Sequence, residues 1–199
     1  MGYDMTIIGG VPPTDPAVVA AAEKAVDALH DLGAVKRSHG YLNAPLQHDI
    51  HRQIVEPVLV HWSQLKAPET FRLNMWAMPR FVDAMIDADM AHPSTSPITP
   101  EEWETLPDPD EDWDAFLRAQ DRLTAKHVTQ DPTIPSHKFS SNDGWCVTPT
   151  EISHALRAWE RYSEKVTPVL RPKVMQLTRW ELWIEYLRLA ENNGGIRVS

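Results

Sequence analysis

Asp108, Asp110 and Asp112 stand at alternate positions, the spacing with which a calcium-binding loop begins. The rest of that loop is missing. Trp113 fills the position that needs glycine for the turn, and Ala119 fills the position that needs a bidentate glutamate. The aspartates belong instead to a wider pattern. From Phe81 to Leu117 there is no lysine or arginine and there are eleven carboxylates, which outweigh the net charge of −9 of the whole chain. Acidity held in one segment can select a partner, whereas diffuse acidity mainly aids solubility. Trp103 and Trp113 stand among these carboxylates, and tryptophan is enriched in interface hot spots. The expected partner-binding set is Trp103, Glu104, Asp108, Asp110, Asp112, Trp113 and Asp114, facing a basic protein. Local electrostatics competes with this reading, because a carboxylate at a helix start gains about 0.3–1 kcal/mol from the helix dipole without any partner.

Histidines offer a second chemistry. The chain has nine, and His48 and His51 lie three apart on an expected helix, so both project from one side. Such a pair could hold a divalent metal. A metal-dependent hydrolase would need a third ligand and an open position. His61 is the nearest candidate, although on a straight helix it points roughly 80° away from His51. No His-Glu-x-x-His pattern accompanies them, and the bland alternative is a set of structural histidines. Apart from a divalent metal at these three residues, no cofactor is indicated.

Cys146, the only cysteine, lies between Trp145 and Val147 in an expected strand. His137 and His154 are the candidates to activate it, against the ordinary reading of an inert core thiol. No Gly-x-Ser-x-Gly element is present, so a hydrolase nucleophile elbow is excluded. Gly9-Gly10 precedes a helix but lacks phosphate-loop spacing, and Asp15 at that helix start would repel an anion.

The elements that must position these groups follow from periodicity and caps. Residues 3–10 read as a strand. Asp15-Pro16 opens a helix carrying Val18, Ala22, Val26 and Leu29 on one face, with Gly33 at its end. Residues 45–66 read as helical with a break at Pro57, and Phe71–Trp76 as a strand. Pro79 starts a short helix. Thr99 with Glu102, and Thr148 with Glu151, have the spacing of capping boxes that open helices. A helix spans about 112–127. Asn142-Asp143-Gly144 between two strand-like runs reads as the turn of a hairpin over 137–147. A last helix covers about 173–191 and Ile196–Val198 forms a last strand. Trp159, Trp180 and Trp183 on the final helices read as core, with self-association through these aromatic helices as the sharper alternative. The arginines at 157, 161, 179 and 188 are expected to pair with neighbouring glutamates.

Without regular βα alternation, this order predicts a mainly helical α+β fold with a small antiparallel sheet or hairpin. Its 199 residues form one domain, with an acidic, proline-rich connector at about 91–111. No apolar run is long enough to span a membrane, and the N-terminus lacks the pattern of a signal peptide. A single cysteine suits a reducing cytoplasm. The acidic balance argues against nucleic acid as a partner. The leading functional expectation is a non-enzymatic interaction or inhibitor protein, ahead of a hydrolase at His48 and His51.

Overall fold

The computed structural model describes residues 2–11, 15–21, 24, 35–36, 42–43, 70–127, 131–176 and 178–199. The expected helix over 45–66, the break at Pro57, and His48, His51 and His61 lie outside the described residues.

Strand β1 (Gly2–Ile7) buries Met5 and Ile7 and exposes Thr6 between them, the period-two signature of a sheet with one buried face. Two short strands, β2 (Val35–Lys36) and β3 (Leu42–Asn43), pair with each other. Strand β4 (Thr70–Asn74) follows, with Phe71 and Leu73 buried. Near the C-terminus, β7 (Trp145–Val147) and β8 (Ile196–Val198) complete a four-stranded antiparallel sheet in the order β4-β1-β8-β7. Met5 pairs with Phe71 on one side and Val198 on the other, which brings the two ends of the chain side by side.

Helices cover the apolar face. Helix α1 (Ala77–Asp87) buries Met78, Phe81, Ala84 and Met85. It starts before the expected Pro79 because the Asn74 side chain accepts the free N–H groups of Trp76 and Ala77 at 3.0 and 2.8 Å. Strand β5 (Ala91–His92) pairs in parallel with β6 (Ile134–Pro135). Between them lie α2 (Pro100–Trp103) and α3 (Trp113–Thr124). Helix α4 (Pro149–Lys165) and helix α5 (Thr178–Glu191) finish the layer. Both expected capping boxes form, at Thr99 and at Thr148. The expected helix from 173 is divided: Lys173–Gln176 is a 3₁₀ turn, and the α-helix begins at Thr178.

Helix α5 is the centre of the core. Trp180, Trp183, Tyr186 and Leu187 are all at most 2% exposed. Trp180 meets Phe81 at 5.6 Å and Trp159 at 5.5 Å between ring centroids, and Trp183 meets Phe71 at 5.3 Å. The Tyr186 hydroxyl donates to the Met5 carbonyl of β1. The wide apolar surface of this helix is therefore consumed inside the chain. Among its described residues, α5 exposes Glu181, Glu185 and Arg188.

The expected hairpin over 137–147 does not form. Residues 136–139 are a 3₁₀ turn, and β7 pairs with β8 instead. His137, Lys138 and Phe139 are consecutive and all buried. A strand with one buried face sends neighbours to opposite sides and cannot bury three in a row; the turn sends them in three directions, and each meets protein, His137 at Trp145, Lys138 at Glu151 and Phe139 at Trp183. The Asn142-Asp143-Gly144 turn serves distant partners: Asn142 donates to the Gly2 carbonyl, and the Asp143 carbonyl accepts from the Gln120 side chain.

Candidate functional site

The acidic segment is shaped by its own carboxylates. Glu102 closes the Thr99 capping box, and its carboxylate lies 3.4 Å from the His127 ring. The Thr99 N–H, helped by that imidazole, holds the Glu102 carboxyl below its usual range. Asp108 accepts the N–H of Asp110 at 2.9 Å, and Asp112 caps α3 by accepting the N–H of Ala115 at 2.8 Å. Both therefore hold the backbone. Glu101, Glu104, Asp110, Glu111 and Asp114 are exposed, and no hydrogen bond from a described residue is drawn to their carboxylates.

The two tryptophans divide between packing and surface. Trp103 is half-buried, stacks on Phe116 at 6.0 Å and meets Trp145 edge-on at 5.9 Å. Trp113 stacks on Phe116 at 5.3 Å and keeps 40% of its surface exposed. Trp103 is thus the more enclosed ring and Trp113 the more exposed one.

A cavity of about 420 Å³ lies between the end of α3, residues 131–138, β7 and the start of α4. Cys146, His137, Lys138 and Glu151 share its wall with Asp121 and Asp131. Lys138 reaches both carboxylate oxygens of Glu151 and the Cys146 carbonyl at 2.7–2.8 Å. Cys146 and Arg197 are cross-strand neighbours on the side of the sheet away from the core. Arg197 forms a two-pronged pair with Asp121 of α3, both contacts at 2.9 Å. Helix α3 fits closely there because Gly144 lacks a side chain: a Cβ would lie 2.3 Å from the Leu117 methyl.

His137 is 5% exposed. Burial, reinforced by the Lys138 cation, pushes its imidazole down to about 4, so the ring is neutral near pH 7. Burial pushes the Cys146 thiol up. Cys146 and His137 do meet at one cavity, as their residue types suggested, yet a thiolate–imidazolium pair is disfavoured on both sides. His154 acts electrostatically on Asp131. Asp131 accepts the Thr133 hydroxyl at 2.6 Å and faces the His92 ring at 3.6 Å, and the Thr133 bond holds its carboxyl low.

Among the described residues, no group of three or more histidine, cysteine or acidic side chains is placed to hold a metal. No described helix is long and apolar enough to cross a membrane. Sequence reasoning missed Lys138, Ser94 and the Asp121–Arg197 pair as parts of one site. Of the other groups in this wall, Cys146 and His137 carried a signal through their residue types and Glu151 through its capping box. No protein-family model matches the chain, and neither a curated protein nor a solved structure is significantly similar to it.

Proposed function

We propose that this chain is a non-enzymatic interaction protein that presents its acidic 101–114 face to a basic partner. The observation that carries this reading is the exposure of Glu101, Glu104, Asp110, Glu111 and Asp114 beside a 40% exposed Trp113 ring, in a stretch without one cation. Surface carboxylates that hold no backbone group act on what approaches from solvent. They accelerate encounter with a positive partner, and a desolvated aromatic ring supplies residence time.

The test neutralises only carboxylates that cap nothing: Glu104→Gln, Asp110→Asn, Glu111→Gln and Asp114→Asn together. Asp108 and Asp112 stay, because their loss would loosen the turn and the α3 start. Partners recovered from the protein's own cells with the wild type are identified, purified and titrated against both forms over a range of salt. Tight, salt-sensitive binding by the wild type and its loss in the variant, at unchanged melting temperature, supports the reading. Equal binding of every partner by the variant overturns it.

A further inference from the structure

Helix α1 carries its charges in an order that opposes its own stability. The helix dipole favours carboxylates in the first turn and cations in the last. Helix α1 has neither: Arg80 lies near its start, Asp83 follows, and Asp87 ends it. Asp83 and Asp87 are also four residues apart, a spacing at which like charges on a helix repel. The carboxylates at the starts of α2 and α3 are accounted for by the dipole, and these two are not.

Trp76 extends the same stripe. It immediately precedes α1, where the Asn74 side chain accepts its N–H at 3.0 Å, and it is 76% exposed. At 3.6 residues per turn, positions 76, 80, 83 and 87 fall within an arc of about 60° and along a length of roughly 16 Å. All four residues line one groove of about 890 Å³, which has the buried Phe81 and Ala84 at its base and includes residues 172–174 from outside the helix. Arg80, Asp83, Asp87 and Lys173 of this groove are exposed, and their side chains have no hydrogen-bond or ion-pair partner among the described residues.

Charges that neither stabilise their own helix nor pair with a neighbour are available to a ligand, and their order selects it. Along the stripe a ring is followed by a cation and then by carboxylates, so the complement runs aromatic, acidic, basic. With two cations and two carboxylates in the groove, a ligand of one sign meets repulsion as well as attraction. An extended chain turns alternate side chains to one side at about 3.3 Å per residue, so the first, third and fifth side chains of a peptide span roughly 13 Å and match the stripe.

We infer that the groove beside α1 binds an extended segment of a partner protein whose alternate side chains run aromatic, acidic, basic, with the ring on Trp76, the acid at Arg80 and the base at Asp83 and Asp87. The groove shares no residue with the acidic 101–114 face, so the two sites are tested separately.

Two peptides of identical composition test this: acetyl-Phe-Ala-Glu-Ala-Lys-amide and acetyl-Phe-Ala-Lys-Ala-Glu-amide. Each has no net charge, so the −9 of the whole chain favours neither. Both are titrated by calorimetry into the full-length protein. The first is expected to bind at least about tenfold more tightly, because only its charges fall opposite their complements. Trp76→Ala weakens the first peptide by about tenfold. Exchanging the charges, with Arg80→Glu, Asp83→Lys and Asp87→Lys together, reverses the preference at a melting temperature no lower than that of the wild type, because the new order suits the dipole. Equal binding of the two isomers, no saturable binding of either, or a preference that the exchange leaves unchanged overturns the proposal. Self-association of the wild type that Trp76→Ala abolishes, with the first peptide unbound, assigns the groove to a second copy and overturns it as well. The isomer ranking is read on the wild type and stands whether or not the variants fold.

Discussion

Lys138 and Glu151, thirteen residues apart, form a salt bridge in which the cation is the more deeply buried partner: their side chains are 5% and 17% exposed. Glu151 is shared between two tasks. One carboxylate oxygen accepts Lys138 at 2.8 Å, the Thr148 N–H at 2.7 Å and the Thr148 hydroxyl at 2.9 Å. A single side chain thus caps α4 and neutralises the ammonium that ties the 136–139 turn to the Cys146 carbonyl of β7.

Removing either partner strands the other, and the asymmetry of burial sets the order. Glu151→Gln leaves a buried ammonium facing an amide and is expected to cost about 3–5 kcal/mol. Lys138→Met leaves a carboxylate that still holds the Thr148 N–H and hydroxyl and is nearer solvent, so it costs less. The double variant is more stable than Glu151→Gln alone, because it strands no charge. Urea unfolding midpoints of the three variants, at unchanged slope, give this ranking. A Lys138→Met loss equal to that of Glu151→Gln would show that the pair, and not the stranded cation, carries the cost.

Two glycines with the same backbone constraint are predicted to differ. Gly144 and Gly195 have φ of +76° and +89°. Alanine in that region costs about 1–2 kcal/mol from backbone conformation alone. At Gly144 the added Cβ meets the end of the Leu117 side chain, which can turn aside. At Gly195 it would lie 2.3 Å from the Val147 carbonyl oxygen, a backbone atom fixed by the β7–β8 pairing. The Gly195 N–H also closes the end of α5 on the Ala190 carbonyl at 2.9 Å. Gly144→Ala is expected to cost about 1–2 kcal/mol, and Gly195→Ala at least about 3 kcal/mol once overpacking is added. At roughly 2–4 °C per kcal/mol for a chain this size, thermal melts separate them.

The contrast between what was and was not legible follows from sequence separation. Thr99 with Glu102, and Thr148 with Glu151, meet within one helical turn, so residue type and spacing sufficed. The strands β1, β4 and β8 were expected near their places, and in each the buried residues alternate with more exposed ones. The 136–139 turn was misread because His137 and Lys138 look polar, and their burial depends on Ser94 and Glu151, which no local pattern connects to them. Asp121 and Arg197 are 76 residues apart, and only the pairing of β7 with β8 under α3 brings them together. The acidic window was visible as charge. That Asp108 and Asp112 hold backbone, while Glu104, Asp110 and Glu111 do not, required the turn geometry.

Acid should destabilise the fold in a window set by His137. Its imidazole titrates near 6.5 when unfolded and at about 4 when folded, because burial disfavours the cation and Lys138 and His92 repel it, against a smaller attraction by Glu151. As pH falls, the unfolded chain takes up this proton first. The stability associated with the neutral ring is complete above about pH 6.5, declines toward pH 4 and is exhausted below that. The loss across the whole window is about 3–4 kcal/mol, from 2.5 units at 1.4 kcal/mol per pH unit. Glu102 and Asp131 have folded values below their ordinary ones, so their contributions persist to lower pH and are lost beneath this window. Unfolding free energies at pH 7.5, 6 and 4.5 for the wild type and His137→Phe check this. The variant starts less stable at pH 7.5 and loses about 3 kcal/mol less on acidification. An equal loss in both would assign the acid sensitivity to other groups.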